Sequence, residues 1–150
     1  MIELGIKLLD DGLPMPRYQH EGDAGLDLPS RVDLVIEPGE RATVPTGIAV
    51  AIPPGYTGFV LPRSGLASRH GIALVNSPGL VDSGYRGEMA IVMINTDKRQ
   101  AFHIKRGDRI AQLVIQRVED VSIIEVHELD ETSRGAGGFG STGKSGTRDS

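Results

Sequence analysis

Two aspartates and three arginines stand in turn-like stretches rich in glycine and serine, where their side chains could bind and process an anion. They are Asp27, Asp82, Arg63, Arg109 and Arg134. A guanidinium and nearby backbone N–H groups can share one anion, and carboxylates can hold Mg²⁺ through water. Each residue alone is more typical of an ordinary turn or of a solvated surface charge. Together they favour a polyphosphate ligand.

Other chemistries find little support in the residue types. The sequence has no cysteine, and its scattered histidines show no ligand spacing, so a metal site built from protein ligands is not expected. Ser64 does not lie in a G-x-S-x-G motif. Its better interpretation is the N-cap of a short helix over Ser64–His70, which Gly71 would end. The histidines are His20, His70, His103 and His127.

Short β-type runs separated by Gly and Pro must position these residues, and they predict an all-β sandwich or barrel. Two runs, Met89–Ile94 and Ile110–Ile115, offer apolar side chains to both faces. Either loops cover the second face or another subunit buries it. The predicted strands are Val32–Ile36, Arg41–Val44, Ile48–Ile52, Gly58–Leu61, Ile72–Val75, Met89–Asn95, Arg109–Val118 and Ser122–Val126.

Length and composition predict one β-barrel domain over residues 1–131, followed by a mobile, glycine-rich C-terminal arm over residues 132–150. A net charge of −4 argues against nonspecific nucleic-acid binding. No apolar run approaches membrane-spanning length, so no membrane partner is expected. A cysteine-free sequence fits a reducing cytoplasm, which is the predicted location.

Five segments in order make the sequence resemble the trimeric dUTPase (deoxyuridine 5′-triphosphate nucleotidohydrolase) family. Any one segment is weak, but all five at family-like spacing are specific, and they extend over most of the chain. They are Ala24–Leu28, Pro62–Ala67, Gly79–Glu88 with Asn76 just ahead, Gly107–Leu113 and Arg134–Gly143.

The resemblance implies a jelly-roll homotrimer with active sites at subunit junctions and arms exchanged between subunits. It implies that dUTP is hydrolysed to dUMP and pyrophosphate, which sanitises the nucleotide pool and supplies a dTTP precursor. Asp82 would deprotonate the water that attacks the α-phosphorus. Mg²⁺ would sit mainly on the triphosphate, with Asp27 contacting it through water. The implied phosphate-binding residues are Arg63, Ser64, Gly65, Gln112, Arg134, Gly140, Ser141 and Thr142.

The resemblance also implies how the base and sugar are chosen. The backbone of Gly79, Leu80 and Val81 would pair with the uracil edge, and Asn76 would add its side-chain amide. Tyr85 would lie under the deoxyribose and leave no space for a 2′-hydroxyl. Phe139 would stack on the uracil when the arm closes.

Two other functions stay open at this point. A dCTP deaminase has a similar fold, but deamination needs an acid/base pair at the pyrimidine C4, and the Phe-bearing arm favours the hydrolase. A regulatory binding protein could use dUTP-dependent arm closure as a signal to a partner. Ammonia release would identify the deaminase, and a partner whose binding responds to dUTP would identify the regulator.

Overall fold

The computed structural model describes residues 1–139, and this part of the chain contains ten strands and one helix. They lie in a unit formed by Met1–Asp120, and a second unit begins at Val121. The elements are β1 (Gly5–Leu8), β2 (Leu26–Pro29), β3 (Leu34–Ile36), β4 (Arg41–Ala51), β5 (Tyr56–Leu61), α1 (Ser64–His70), β6 (Ile72–Leu74), β7 (Gly79–Val81), β8 (Glu88–Asn95), β9 (Phe102–Ile104) and β10 (Arg109–Arg117).

Two four-stranded antiparallel sheets enclose the core. Their strand orders are β1-β4-β8-β6 and β2-β10-β5-β7, and β3 pairs with β9 in a small third sheet. Alternate side chains of both large sheets join one buried cluster, which includes Val44, Met93, Leu28 and Leu113. The expected all-β, jelly-roll-like architecture with one short helix is confirmed.

Strand β4 is longer than predicted. Two strands were expected, over Arg41–Val44 and Ile48–Ile52, but a bulge joins them into one. Its register with β8 shifts between Pro45 and Ala49, and Gly47 within the shift has φ +72°. The Gly47 N–H donates to Glu88 Oε1 at 2.8 Å, and Arg31 Nη1 lies 3.2 Å from the same oxygen. A glycine is suited to this left-handed backbone position.

An ion-pair network fastens the N-terminal segment beside this bulge. Arg106 Nη2 lies 2.6 Å from Asp10 Oδ1, and Arg31 Nε lies 3.6 Å from Asp10 Oδ2. The hydrogen bond from Arg106 is the main reason that the pKa of Asp10 lies below its usual range. A lowered pKa stabilises the fold above the unfolded pKa, and this contribution is lost as the pH falls through the folded pKa.

Asn95 is the most completely hydrogen-bonded polar side chain of the core. It is fully buried, its Nδ2 donates to Ile36 O at 3.0 Å and to Gln100 O at 2.8 Å, and its Oδ1 accepts from Asp97 N. The side chain thus joins the end of β8 to β3 and to the turn before β9. No backbone group could replace it in this position.

Asn95→Ala is expected to lower the free energy of unfolding by about 2–4 kcal/mol, because it leaves buried polar groups without partners and opens a small cavity. Chemical denaturation followed by circular dichroism measures the loss. The chain's other asparagine, Asn76, is exposed, and Asn76→Ala serves as the matched control with little expected change. Equal stability of the two variants would show that the Asn95 network contributes nothing net.

Several predicted elements need correction. The prediction of a strand over Ser122–Val126 is wrong: the segment has no regular secondary structure and no partner strand among residues 1–139, and its apolar side chains are exposed. Alternation shows only that a segment could pair, so it cannot supply the neighbour that makes a strand. Four strands of three or four residues, β1, β2, β7 and β9, were not predicted, because runs this short carry little periodicity.

The helix has the predicted bounds, Ser64–His70, and Gly71 ends it with φ +63°. The prediction that Ser64 caps it is wrong. Arg63 occupies the N-cap position with an extended backbone, and no side chain there makes a capping hydrogen bond. Ser64 is therefore the first helical residue, and its hydroxyl has no capping function.

The second face of β8 is only partly covered by the described residues 1–139. Met89, Ile91 and Met93 face the core, whereas Ala90 on the other face is exposed and Val92 and Ile94 are half-buried. Residues 1–139 therefore leave this apolar face partly accessible. The one helix in residues 1–139 is not long and apolar enough to cross a membrane.

Candidate functional site

A polar cavity of about 410 Å³ lies where β2 and β10 meet the start of α1. Strand pairing puts Gln112 of β10 opposite both Asp27 of β2 and Leu61 of β5. The chain then leaves β5 through Pro62, and Gln112 Nε2 donates to the Pro62 carbonyl oxygen at 3.0 Å. Six of the residues that line this cavity, which we call the cationic pocket, are Asp27, Arg63, Ser64, Gly65, Arg109 and Gln112.

Asp27 holds two arginines in the cationic pocket. Its Oδ1 lies 3.2 Å from Arg63 Nε, and its Oδ2 lies 2.9 Å from Arg109 Nη1. Arg63 Nη1 also donates to the Arg109 carbonyl oxygen at 2.9 Å. These three charges sum to +1, and Asp23, which also lines the pocket and accepts from His20 N at 2.8 Å, brings the formal charge of the lining to zero. The unused guanidinium N–H groups can still donate to an anion.

A second cavity, of about 180 Å³, lies beneath the hairpin that connects β6 to β8. Ser77–Pro78 is a cis peptide in this hairpin, and Tyr85 OH donates to Glu88 O at 2.9 Å. A Cβ at Gly87 would stand 2.5 Å from that tyrosine oxygen, so only glycine lets the ring lie against the chain here. The predicted residues that line this hairpin pocket are Asn76, Gly79, Leu80, Val81 and Tyr85.

Asp82 lies just past the end of β7 and lines a third cavity of about 320 Å³. Tyr56, Phe59 and Asp120 line the same cavity. Within residues 1–139 the Asp82 carboxylate makes no hydrogen bond or ion pair, although its backbone oxygen accepts from Tyr85 N at 3.0 Å. A carboxylate without a protein partner is available to accept a proton.

The cationic pocket and the hairpin pocket have no lining residue in common. One chain thus presents two separate surfaces, one suited to anionic oxygens and one suited to a small ring. Each is built on strands of the same sandwich, which fixes its own geometry.

The predicted arm residues are only partly described. Arg134 and Phe139 belong to the second unit, in which Arg134 Nε donates to Gly137 O at 3.0 Å and Phe139 is exposed. The backbone makes two turns there, with Gly135 N and Gly137 N donating to Thr132 O and Arg134 O. The predicted residues Gly140, Ser141 and Thr142 lie outside the described residues.

Two pocket residues were not predicted: Gly25 lines the cationic pocket, and Asp120 lines the cavity of Asp82. Arg109 was expected among the anion-binding arginines, but its ion pair with Asp27 was not. A Cβ at Gly25 would clash with Gln112 Oε1, so this glycine makes room for that side chain. Gly25 could have been predicted, because it lies in the motif Ala24–Leu28 that contains Asp27. Nothing in the sequence indicates that Asp120 lies near Asp82.

The donor set argues against a metal bound by protein ligands alone. Among residues 1–139 there is no group of three or more His, Cys, Asp or Glu side chains that could hold a metal ion. In the cationic pocket, both oxygens of Asp27 already face guanidinium groups. These residues fit Mg²⁺ only when the ligand supplies most of its oxygens and water joins the ion to Asp27.

Comparison with known proteins reveals extended similarity. A family model described as dUTPase matches residues 11–143. The deoxyuridine 5′-triphosphate nucleotidohydrolase of Thermobifida fusca (strain YX) is 59% identical over 142 residues, which is 95% of this chain and 79% of that protein. The protein of the same name from Nocardia farcinica (strain IFM 10152) is 56% identical over 138 residues, 92% of this chain and 84% of the relative.

A solved structure of similar fold is the dUTPase of Staphylococcus bacteriophage 80alpha, as a G164S mutant with dUpNHpp. Its TM-score is 0.88 at 32% sequence identity, and the match covers 96% of this chain and 100% of that one.

Proposed function

This chain belongs to the dUTPase family and is an enzyme that hydrolyses dUTP, and on that premise we propose how its residues carry out the reaction. The products are dUMP and pyrophosphate, formed by water attack on the α-phosphorus. The observation that carries the proposal is the cationic pocket, where Arg63 and Arg109 present guanidinium groups beside Ser64 and Gln112. Such groups match the oxygens of a triphosphate.

Asp82 is the general base in this proposal. The oxygen of the attacking water forms a bond to the α-phosphorus, its proton passes to the Asp82 carboxylate, and the bond from phosphorus to the bridging oxygen breaks. Pyrophosphate then leaves with the electron pair of that bond. The carboxylate has no other partner among residues 1–139, which supports its availability as an acceptor.

The arm contributes the remaining contacts. Arg134 binds phosphate oxygens, Phe139 stacks on the uracil, and Gly140, Ser141 and Thr142 add donors to the phosphates. Ordering such a glycine-rich segment costs conformational entropy, which offsets part of the gain. Closure also excludes water other than the nucleophile from the reacting phosphorus.

When bound with the triphosphate, Mg²⁺ would supply positive charge that offsets the charge of the phosphate oxygens. Asp27 is the protein residue that would hold it, through water. The orientation of the nucleotide depends on this chain's own groups, namely the backbone N–H groups at Ser64 and Gly65 and the amide of Gln112. A cytoplasmic location remains a prediction, consistent with a sequence that contains no cysteine.

The active enzyme is a homotrimer with shared sites in this proposal. Two observations support it: the partly accessible apolar face of β8 and the exposed apolar side chains of Val121, Ile123 and Ile124, which have no partner strand among residues 1–139. A second copy could bury both. Light scattering should give three times the chain mass of 16.0 kDa.

The hairpin pocket selects the base and the sugar. The backbone of Gly79–Val81 pairs with the uracil edge, the Asn76 amide adds a contact, and Tyr85 fills the space beside the deoxyribose. Thymine is excluded by its methyl group. Cytosine would place an amino donor against a donor, which leaves polar partners unmatched and discriminates strongly.

Tyr85→Ala is expected to reduce the preference for dUTP over UTP, expressed as the ratio of kcat/KM values, by about 10–100-fold. The ring, held by its hydrogen bond to Glu88 O, blocks the position of a 2′-hydroxyl. Tyr85→Phe keeps the ring and is the matched control, with discrimination largely retained. An unchanged ratio in Tyr85→Ala would remove the tyrosine from sugar selection.

Product analysis tests the whole proposal. The purified protein is incubated with dUTP, dCTP, dTTP and UTP, with Mg²⁺ or with EDTA, and the nucleotide products, pyrophosphate and ammonia are measured. We expect dUMP and pyrophosphate from dUTP in Mg²⁺ and little product from the other nucleotides. Release of ammonia from dCTP would identify a deaminase instead, and no turnover of dUTP would refute hydrolysis.

A further inference from the structure

Asp27 forms ion pairs with both arginines of the cationic pocket. We propose that Arg63, Asp27 and Arg109 act as one unit, in which Asp27 is a positioning residue that holds both guanidinium groups and Arg109 binds phosphate only while Asp27 holds it. The inference rests on the proposed function, because it names the groups that receive the pyrophosphate portion of dUTP. It gives Asp27 a role that does not require Mg²⁺.

Arg109 reaches the pocket because of a β-bulge. In the pairing of β10 with β2, Arg109 lies opposite Pro29 and Ala111 lies opposite Leu28, so two residues of β10 span a single step of β2. Side chains alternate along a regular strand, which would place Arg109 and Gln112 on opposite faces. Because the bulge adds one residue, the Arg109 side chain lies on the same face of the sheet as Asp27 and Gln112. Bulges of this kind commonly re-aim a side chain at a binding site.

Asp27 is well placed to fix both guanidinium groups. Its side chain is 13% exposed, against 29% for Arg63 and 48% for Arg109, so the carboxylate is the least exposed group of the unit. Each of its oxygens accepts from a different arginine. A long side chain that is held this way loses less rotamer entropy when a phosphate arrives.

Arg63 is oriented by a second contact within the unit. Its Nε faces Asp27 and its Nη1 donates to the Arg109 carbonyl oxygen, so the plane of the guanidinium is set by two acceptors. Among residues 1–139, no other hydrogen bond of the Arg63 side chain is present to compete. The remaining N–H groups of both arginines can therefore bind phosphate oxygens without breaking the unit.

A double-mutant cycle of Asp27→Asn and Arg109→Met tests whether these residues act together. The measurement is the Kd of the non-hydrolysable analogue dUpNHpp, by calorimetry in EDTA and again in Mg²⁺. We expect Arg109→Met to raise the Kd about tenfold in both conditions. In the Asp27→Asn background the same substitution should raise it less than threefold, because the unpaired arginine is no longer held in the pocket.

Arg41→Met is the matched control, because Arg41 is also an exposed first residue of a strand and has no ion pair among residues 1–139. Its Kd should equal that of the wild type. Arg109→Lys should recover only part of the affinity, because an ammonium cannot form the same fork with a carboxylate and a phosphate. This conservative variant also keeps the test available if Arg109→Met does not fold.

The outcomes separate this inference from the proposed function. If Arg109→Met raised the Kd of dUpNHpp equally in both backgrounds, the three residues would not act as one unit. The same conclusion would follow if Asp27→Asn changed the Kd only in Mg²⁺. Neither result would contradict hydrolysis of dUTP. A wild-type protein that neither binds dUpNHpp nor hydrolyses dUTP would refute the proposed function itself. Full affinity in both Arg109→Met and Arg109→Lys would exclude Arg109 from phosphate binding.

Discussion

Asp82→Asn is expected to lower kcat for dUTP hydrolysis by about 10²–10⁴-fold and to change the Kd of dUpNHpp little. The amide has nearly the same shape as the carboxylate but cannot accept the proton of the attacking water. Because the Asp82 side chain has no partner within residues 1–139, the substitution breaks no ion pair and should leave the fold intact. Single-turnover kinetics and calorimetry measure the two quantities separately.

Asp120→Asn is the matched comparison for this experiment. Asp120 lines the same cavity as Asp82, and it is the other carboxylate there that could act as a base. We expect Asp120→Asn to change kcat less than threefold. A large loss of kcat in Asp120→Asn together with a normal rate in Asp82→Asn would reverse the assignment.

The fold could be predicted from the sequence where local rules and long-range contacts agree. Gly71 ends the helix in the left-handed conformation that glycine favours, so the bounds Ser64–His70 were predicted correctly. The N-cap was predicted wrongly. Ser64 is a common capping residue type, but the residue at which the first turn begins depends on the strand before the helix, and here the N-cap is Arg63. The strand predicted over Ser122–Val126 is absent because its apolar residues suit a strand but no partner strand lies beside it among the described residues.

Which residues lie near one another could be predicted in part, but how they pair could not. The family resemblance implied that Arg63, Gln112 and Asp27 act at one site, and all three line the cationic pocket. It could not indicate that Asp27 pairs with Arg109, because this contact depends on a one-residue bulge between β10 and β2. A register shift has no local signature, since it is set by how two distant segments align.

Ending the chain at Thr132 is expected to leave a folded protein with kcat/KM for dUTP lowered by about 10²–10³-fold. Stability should persist because every member of the buried core cluster lies between Leu26 and Leu113. The truncation removes Arg134 and Phe139, whose phosphate contact and base stack contribute about 1.5–3 and 1–3 kcal/mol. The cost of ordering the arm offsets part of this, and about 3–4 kcal/mol corresponds to the expected loss of rate.

Two single substitutions in the untruncated chain separate the two contributions to this loss of kcat/KM. Phe139→Ala removes the stack on the base, and Arg134→Met removes the charge. The phenylalanine variant should weaken binding of the nucleoside deoxyuridine and of dUpNHpp alike, because both carry uracil. The arginine variant should weaken only dUpNHpp, because a nucleoside has no phosphate to contact. If the truncated protein kept its thermal midpoint and hydrolysed dUTP at the full rate, the arm would have no part in catalysis. Residues 1–132 would then have to contain every group that the reaction needs.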